Sequence, residues 1–262
     1  MLDTILEKST SAIIGAIISV IISNFDRLFK YYKRRVNWFR PEFDLKKGES
    51  FDIVTSSFVK NAKMPRGISE EYLREDENVI GDMKPVLIVL QGRNLRTYPY
   101  LPDGLPEIRR DESIISFGGE VGNSFTKLVL KKLSCPLRFK GYRIVDNNDN
   151  TKFTPKTDKN KRIILDYALI VKTPNPIRIE QNRMVYIFAG VHKPGTLGAA
   201  YCTQDRYAAL INKAVRGMKA FAILVEIRVD YLGEENITDP IITPKSVVRV
   251  YDLPFQHLLS NY

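Results

Sequence analysis

The sequence predicts an α/β fold: one N-terminal transmembrane helix followed by a three-layer α/β domain with a mostly parallel sheet. Three observations lead there. Residues 12–22 are almost wholly apolar and are followed by a run of Lys, Arg and aromatic residues. From residue 113 onward, short apolar runs alternate with helical patterns, as strands and helices do in α/β domains. A strand, a glycine-bearing turn and a helix follow one another twice.

The balance of the chain suits a real core: 44% of its 262 residues are hydrophobic and 27% charged, the proportions of an ordinary globular protein. Lys and Arg number 40 against 30 Asp and Glu, a net charge of +10, and the pI is about 9.4. That excess favours an acidic partner, whether anionic lipid headgroups, nucleic acid or a phosphorylated small molecule. A solvated basic surface is the plain alternative. Cys135 and Cys202 are the two cysteines. They form no CxxC or zinc pattern, which points to a reducing compartment without a disulfide framework. His192 and His257 are the two histidines, so a His-rich metal site is excluded; neither metal nor cofactor is expected.

The apolar stretch begins with Ser9, Thr10 and Ser11, runs from Ala12 to Ile22, and closes with Ser23, Asn24 and Phe25. Residues 9–25 are at the short end for a spanning helix. The Ser and Thr hydroxyls are tolerable because they can donate to carbonyls of the preceding turn. Asp3, Glu7 and Lys8 precede the stretch. Arg27, Lys30, Lys33, Arg34, Arg35 and Arg40 follow it, interleaved with Phe29, Tyr31, Tyr32, Trp38 and Phe39. By the positive-inside rule the C-terminal side is cytoplasmic, and the aromatics fit the headgroup belt. An acidic start and the lack of a small-residue cleavage site argue against a signal peptide; a buried amphipathic helix is the alternative. Ser11, Gly15, Ser19 and Ser23 recur every four residues, so on a helix they form one narrow face of small side chains. Such a face lets helices approach closely in lipid and predicts a homo-oligomer. The expected organisation is residues 1–40 as the helix and its basic juxtamembrane segment, and residues 41–262 as a cytoplasmic basic domain.

In that domain Arg40-Pro41 ends the first helix. Residues 51–56 read as a strand, 69–77 as a helix, 86–90 as strand or helix, and 97–106, with three prolines, as a loop. Residues 113–117 read as a buried strand and 124–133 as a helix. A single strand is expected over 137–145, then a polar loop over 146–161. Further strands are expected at 162–171 and 184–189, one helix from about 197 to 215, and strands at 221–230 and 247–251.

The two strand–turn–helix units carry the candidate chemistry. In the first, Gly118, Gly119 and Gly122 permit tight turns, Asn123 suits an N-cap, and Ser124 and Thr126 add hydroxyls. The N–H groups opening the helix favour an anion. The pattern is neither GxGxxG nor a Walker loop, and a plain capped turn explains it as well. In the second, His192, Lys193 and Thr196 lie among Gly190, Gly195 and Gly198, where dipole and charge together would hold a phosphate or carboxylate. If the two strands are parallel neighbours, both turns meet at the C-terminal edge of one sheet, where open α/β sheets bind ligands. The candidate anion-binding residues are therefore Gly119, Asn123, Thr126, His192, Lys193, Gly195 and Thr196. Asp166, inside an apolar strand, must pair with a cation or meet water; it could orient His192 or Lys193. Arg138 and Lys140, two apart on the expected strand, join Lys30, Lys33, Arg34 and Arg35 as candidate lipid- or anion-binding cations.

The turns Gly118-Gly119…Asn123…Thr126 and Ala189-Gly190…Gly195-Thr196…Ala199-Ala200, with Asp166-Tyr167 and Asn175-Pro176 between them, resemble a loosely defined family of prokaryotic Rossmann-like domains. The likeness covers about residues 110–230 and implies no single activity. A basic α/β domain behind one spanning helix also resembles single-pass membrane effectors of prokaryotic antiviral defence, including those associated with short Argonautes. That resemblance implies binding of an anionic lipid or signal, oligomerisation, partner proteins of a defence complex and loss of membrane integrity. Anionic membrane lipids lead as partners, with direct nucleic-acid binding behind them. Two other readings stay open. One is a membrane-anchored enzyme acting on a nucleotide or an NAD-like molecule through His192, Asp166 or Glu120; the other is a passive scaffold.

Overall fold

The computed structural model of the protein describes residue 39 and residues 51–55, 95–99, 113–177, 183–232, 236–237 and 241–253. The chain splits into two compact units, Met1–Arg40 and Pro41–Tyr262. In the first, Phe39 is described and is buried. The apolar segment 9–25, the small-residue face Ser11, Gly15, Ser19 and Ser23, the cations Lys30, Lys33, Arg34 and Arg35, and the expected elements at 69–77 and 86–90 lie outside the described residues. Among the described residues no helix is long and apolar enough to cross a membrane.

The second unit is a mixed α/β structure. Its elements begin with β1 (Phe51–Thr55), β2 (Leu95–Pro99), β3 (Ser113–Phe117), α1 (Ser124–Lys132), β4 (Leu137–Phe139), β5 (Ile144–Asp146), β6 (Lys152–Phe153) and β7 (Lys156–Thr157). They continue with β8 (Ile163–Pro174), β9 (Met184–Gly190), α2 (Lys193–Tyr201), α3 (Asp205–Ala214), β10 (Phe221–Arg228), β11 (Tyr231–Leu232), β12 (Asn236–Ile237) and β13 (Val247–Asp252). The main sheet has the order β2-β1-β3-β9-β8-β10-β13, with β7 paired onto β8. Each pairing from β2 through β1 and β3 to β9 is parallel. Each pairing from β9 through β8 and β10 to β13 is antiparallel.

The sheet is thus mixed, where the sequence predicts a mostly parallel one. The cause is the short connection over residues 175–183, pinned by Asn175 N donating to the Arg183 carbonyl at 2.7 Å. A parallel pair needs a crossover of a dozen or more residues, so β8 returns beside β9 antiparallel. It also separates β9 from β10, which carry α2 and α3 between them.

Along β3, β9, β8 and β10 both faces of the sheet are largely apolar, which accounts for near-continuous hydrophobic strands. On one face Ile114, Leu169, Val171, Val185 and Ile187 join Phe125, Val129 and Leu130 of α1 and Leu137, Phe139, Ile144 and Phe153 of the small sheet β4-β5-β6. Residues of opposite parity, such as Ile115, Ile170, Phe188, Ile223 and Ile227, are equally buried. Each such side chain contributes about 1.5–3 kcal/mol relative to exposure. α2 packs closely on that second face because it opens with small residues: a Cβ at Gly198 would lie 2.7 Å from the Ile227 side chain.

Four local expectations are corrected. Residues 95–99 form β2, extending into the expected loop. The expected strand 137–145 is a hairpin, β4 and β5 pairing antiparallel with Arg138 opposite Val145. Its turn places Gly141 at φ +60°, and Lys140 N donates to the Arg143 carbonyl at 2.9 Å. Residues 146–161 hold β6 and β7 and a series of aspartate-closed turns: Asn148 N donates to Asp146, Thr151 N to Asp149 and Asn160 N to Asp158, the local bonding that makes Asp a turn residue. The expected long helix breaks at 202–204 into α2 and α3, with the Thr203 hydroxyl donating back to the Ala200 carbonyl at 2.8 Å.

Candidate functional site

β3 and β9 are parallel neighbours in register Phe117 with Phe188, so the two glycine-bearing turns leave the sheet side by side. Gly118 N donates to the Phe188 carbonyl at 3.0 Å, tying the first turn to the strand that launches the second. The expected meeting of both turns at one C-terminal edge is what the sheet builds.

The first turn is held by its own polar side chains. Asn123 is fully buried. Its Oδ1 accepts from Thr126 N at 3.0 Å, capping α1 as expected. Its Nδ2 donates to Ser116 Oγ at 3.0 Å and to the Phe117 carbonyl at 2.8 Å. The Thr126 hydroxyl lies 2.9 Å from Ser116 Oγ and donates to the Gly118 carbonyl at 3.1 Å. Gly119 sits close to the small sheet: a Cβ there would meet the Phe139 ring at 3.1 Å.

The second turn holds an anion supplied by the protein. Asp166 is fully buried near the start of β8. That stretch of β8 extends past the end of β9, whose final residue, Gly190, pairs with Ala168. The carboxylate thus reaches the opening of α2. Asp166 Oδ2 accepts from His192 N at 3.0 Å and Gly195 N at 2.8 Å, and Oδ1 accepts from Tyr167 N at 2.8 Å. A carboxylate here gains from both N–H groups and the helix dipole. The position in which a phosphate was expected is taken by Asp166. The fit is tight, since a Cβ at Gly195 would fall 2.6 Å from Asp166 Oδ2. Thr196 Oγ1, likewise buried, accepts from Gly190 N at 2.9 Å. His192 and Lys193 are half-buried.

The β4-β5 hairpin reaches both turns. Glu120, in the first turn, accepts from Arg138 Nε at 2.7 Å and from Phe139 N at 2.8 Å, and pairs with the Arg138 guanidinium through its second oxygen. Arg138, expected to meet lipid or another anion, is instead neutralised by an internal carboxylate, and its pKa is raised by that bond. Lys140 is exposed. At the hairpin tip the Tyr142 ring lies parallel to His192, with centroids 6.1 Å apart and planes 15° apart. In the sequence Phe139 and Tyr142 alternate with Arg138, Lys140 and Arg143, a basic–aromatic interleaving that fits nucleic acid or lipid headgroups and equally a solvated strand face.

The titrating groups fit this arrangement. Burial lowers the His192 pKa, favouring neutral imidazole. Burial pushes the Cys135 thiol up to about 12 and raises that of Cys202 further; both are buried, in no disulfide, and held as protonated thiols. Asp146, fully buried, pairs with Arg249 Nε at 3.3 Å and accepts from the Tyr251 hydroxyl. Burial, then this bond, pushes the Tyr251 hydroxyl up to about 12. Among the described residues no group of three His, Cys, Asp or Glu side chains is placed to hold a metal ion.

The chain matches no protein-family model, no curated protein and no solved structure.

Proposed function

We propose that this chain is a single-pass membrane effector of prokaryotic antiviral immunity that acts without catalysis. Residues 9–25 sit in the cell membrane and the second unit lies in the cytoplasm. A basic surface engages an anionic ligand or anionic phospholipid, and self-association through Ser11, Gly15, Ser19 and Ser23 disrupts the bilayer. In this reading the parallel half of the sheet, β2-β1-β3-β9 with its two glycine turns, is Rossmann-like in layout and serves as a scaffold.

The observation that favours this reading over a nucleotide-processing one is the commitment of the candidate acids to the fold. Asp166 accepts the N–H groups that open α2, and Glu120 is bonded to Arg138 and Phe139 N. The basic run from Lys30 to Arg40 supplies the second support, since each Lys or Arg near anionic lipid adds roughly 1 kcal/mol of attraction. The test is leakage of dye from liposomes exposed to the full-length protein, with and without anionic lipid, beside a chain beginning near residue 45. Leakage that requires the N-terminal segment and rises with anionic lipid is expected. An intact bilayer, or a full-length chain that stays in the aqueous fraction without detergent, removes the proposal. Turnover of a nucleotide by the same preparation would favour the enzyme reading.

A further inference from the structure

The segment from β4 to the start of β8 sets exposed cations beside an exposed aromatic ring. Its carboxylates are already paired: Asp146 and Asp149 both pair with Arg249, and Asp158 with Arg162. Its cations are not. Lys140, Arg143, Lys152, Lys156, Lys159 and Lys161 are all exposed, and none forms an ion pair among the described residues. Of these acids Asp146 is fully buried, while Asp149 and Asp158 remain at the surface in ion pairs; the exposed lysines and arginine outnumber the acids left to balance them.

The small sheet orients part of that surface. Leu137, Phe139, Ile144 and Phe153 face the core; Arg138 and Lys152, both level with Val145, lie on the opposite face, where Val145 is buried, Arg138 is held by Glu120 and Lys152 stays exposed. At one end of this face stands Tyr142, 45% exposed, its ring backed by His192 and flanked in sequence by Lys140 and Arg143. An aromatic ring exposed at this level, held parallel to a second ring and set among cations, offers a stacking surface beside sites for phosphate. Single-stranded nucleic acid is recognised by that combination: bases stack on aromatic rings while Lys and Arg follow the backbone. A lipid surface would use the cations but has no base to lay on the ring.

We infer that the tip of the β4-β5 hairpin, with the neighbouring Lys152 of β6, binds single-stranded nucleic acid, with one base stacked on Tyr142 and the phosphates beside Lys140, Arg143 and Lys152. The inference rests on residues 137–162 and does not depend on the membrane proposal.

The test uses the full-length chain in neutral detergent and a fluorescent single-stranded oligothymidylate, read by anisotropy at several salt concentrations. Binding that weakens with salt is expected. Tyr142→Leu keeps an apolar cover over His192 but removes the stacking ring, and should weaken binding roughly tenfold. Tyr142→Phe should bind as the parent does. Lys140→Glu with Arg143→Glu should weaken binding and flatten its salt dependence, because fewer counterions are released. Unchanged thermal unfolding of the variants confirms an intact fold. The inference is overturned by absence of binding at low salt. It is equally overturned if Tyr142→Leu binds as the parent while charge reversal reduces binding to the oligonucleotide and to phosphatidylglycerol vesicles alike, which would mark a general polyanion or membrane surface.

Discussion

Asp166 supplies three hydrogen-bond acceptances to backbone N–H groups from inside a buried strand. The N-cap residue of α2, His192, makes no side-chain cap bond. Removing the carboxylate would leave amides buried without acceptors, each costing about 1–3 kcal/mol. Asp166→Ala should therefore destabilise the second unit by about 3 kcal/mol, measured by chemical denaturation. His192 sets a pH dependence beside it. Burial holds its folded pKa below the ordinary 6.5, so the unfolded chain takes up the proton first. Its contribution is fully present above that value and is lost as the pH falls toward the folded pKa. Denaturation midpoints at about pH 7.5 and about pH 5 should show this loss, and His192→Gln should shrink it.

The β4-β5 hairpin is an element fastened at both ends. Glu120 secures β4, while Asp146, at the end of β5, bonds Arg249 and Tyr251 of β13. Glu120→Gln breaks a charge pair whose acid is buried and whose Arg138 side chain is 24% exposed, a loss of about 2 kcal/mol. Faster amide exchange at Phe139, whose N–H bonds to Glu120, would report it. This hairpin also marks where legibility ended. β3, α1 and β9 were readable because apolar runs met strong local signals: three glycines, the capping Asn123, and Gly190 with Pro194. The hairpin was hidden because Gly141 was its lone turn signal and the basic–aromatic alternation continues across it. The break between α2 and α3 was hidden because residues 202–204 contain neither Gly nor Pro. The pairing of Asp166 with the α2 amides could not be read, since strand register, not sequence spacing, brings those groups together.

At the scale of the whole molecule, net charge and the N-terminal segment carry the proposed function. Close helix approach in lipid depends on small side chains. Changing Gly15 and Ser19 to Leu should therefore abolish self-association of the full-length chain in detergent while leaving the second unit folded. Light scattering reads the first outcome and circular dichroism the second. The mixed sheet has a different consequence, for the order of assembly. β8 and β9 are joined by residues 175–183 alone, so their pairing closes a small loop at low entropic cost, whereas β3 can join β9 only after the chain from 118 to 183 has been gathered in. The search penalty grows with the length enclosed. The β8-β9 ribbon is thus positioned to form as an early template, and the glycine-turn edge is completed only when β3 docks onto it.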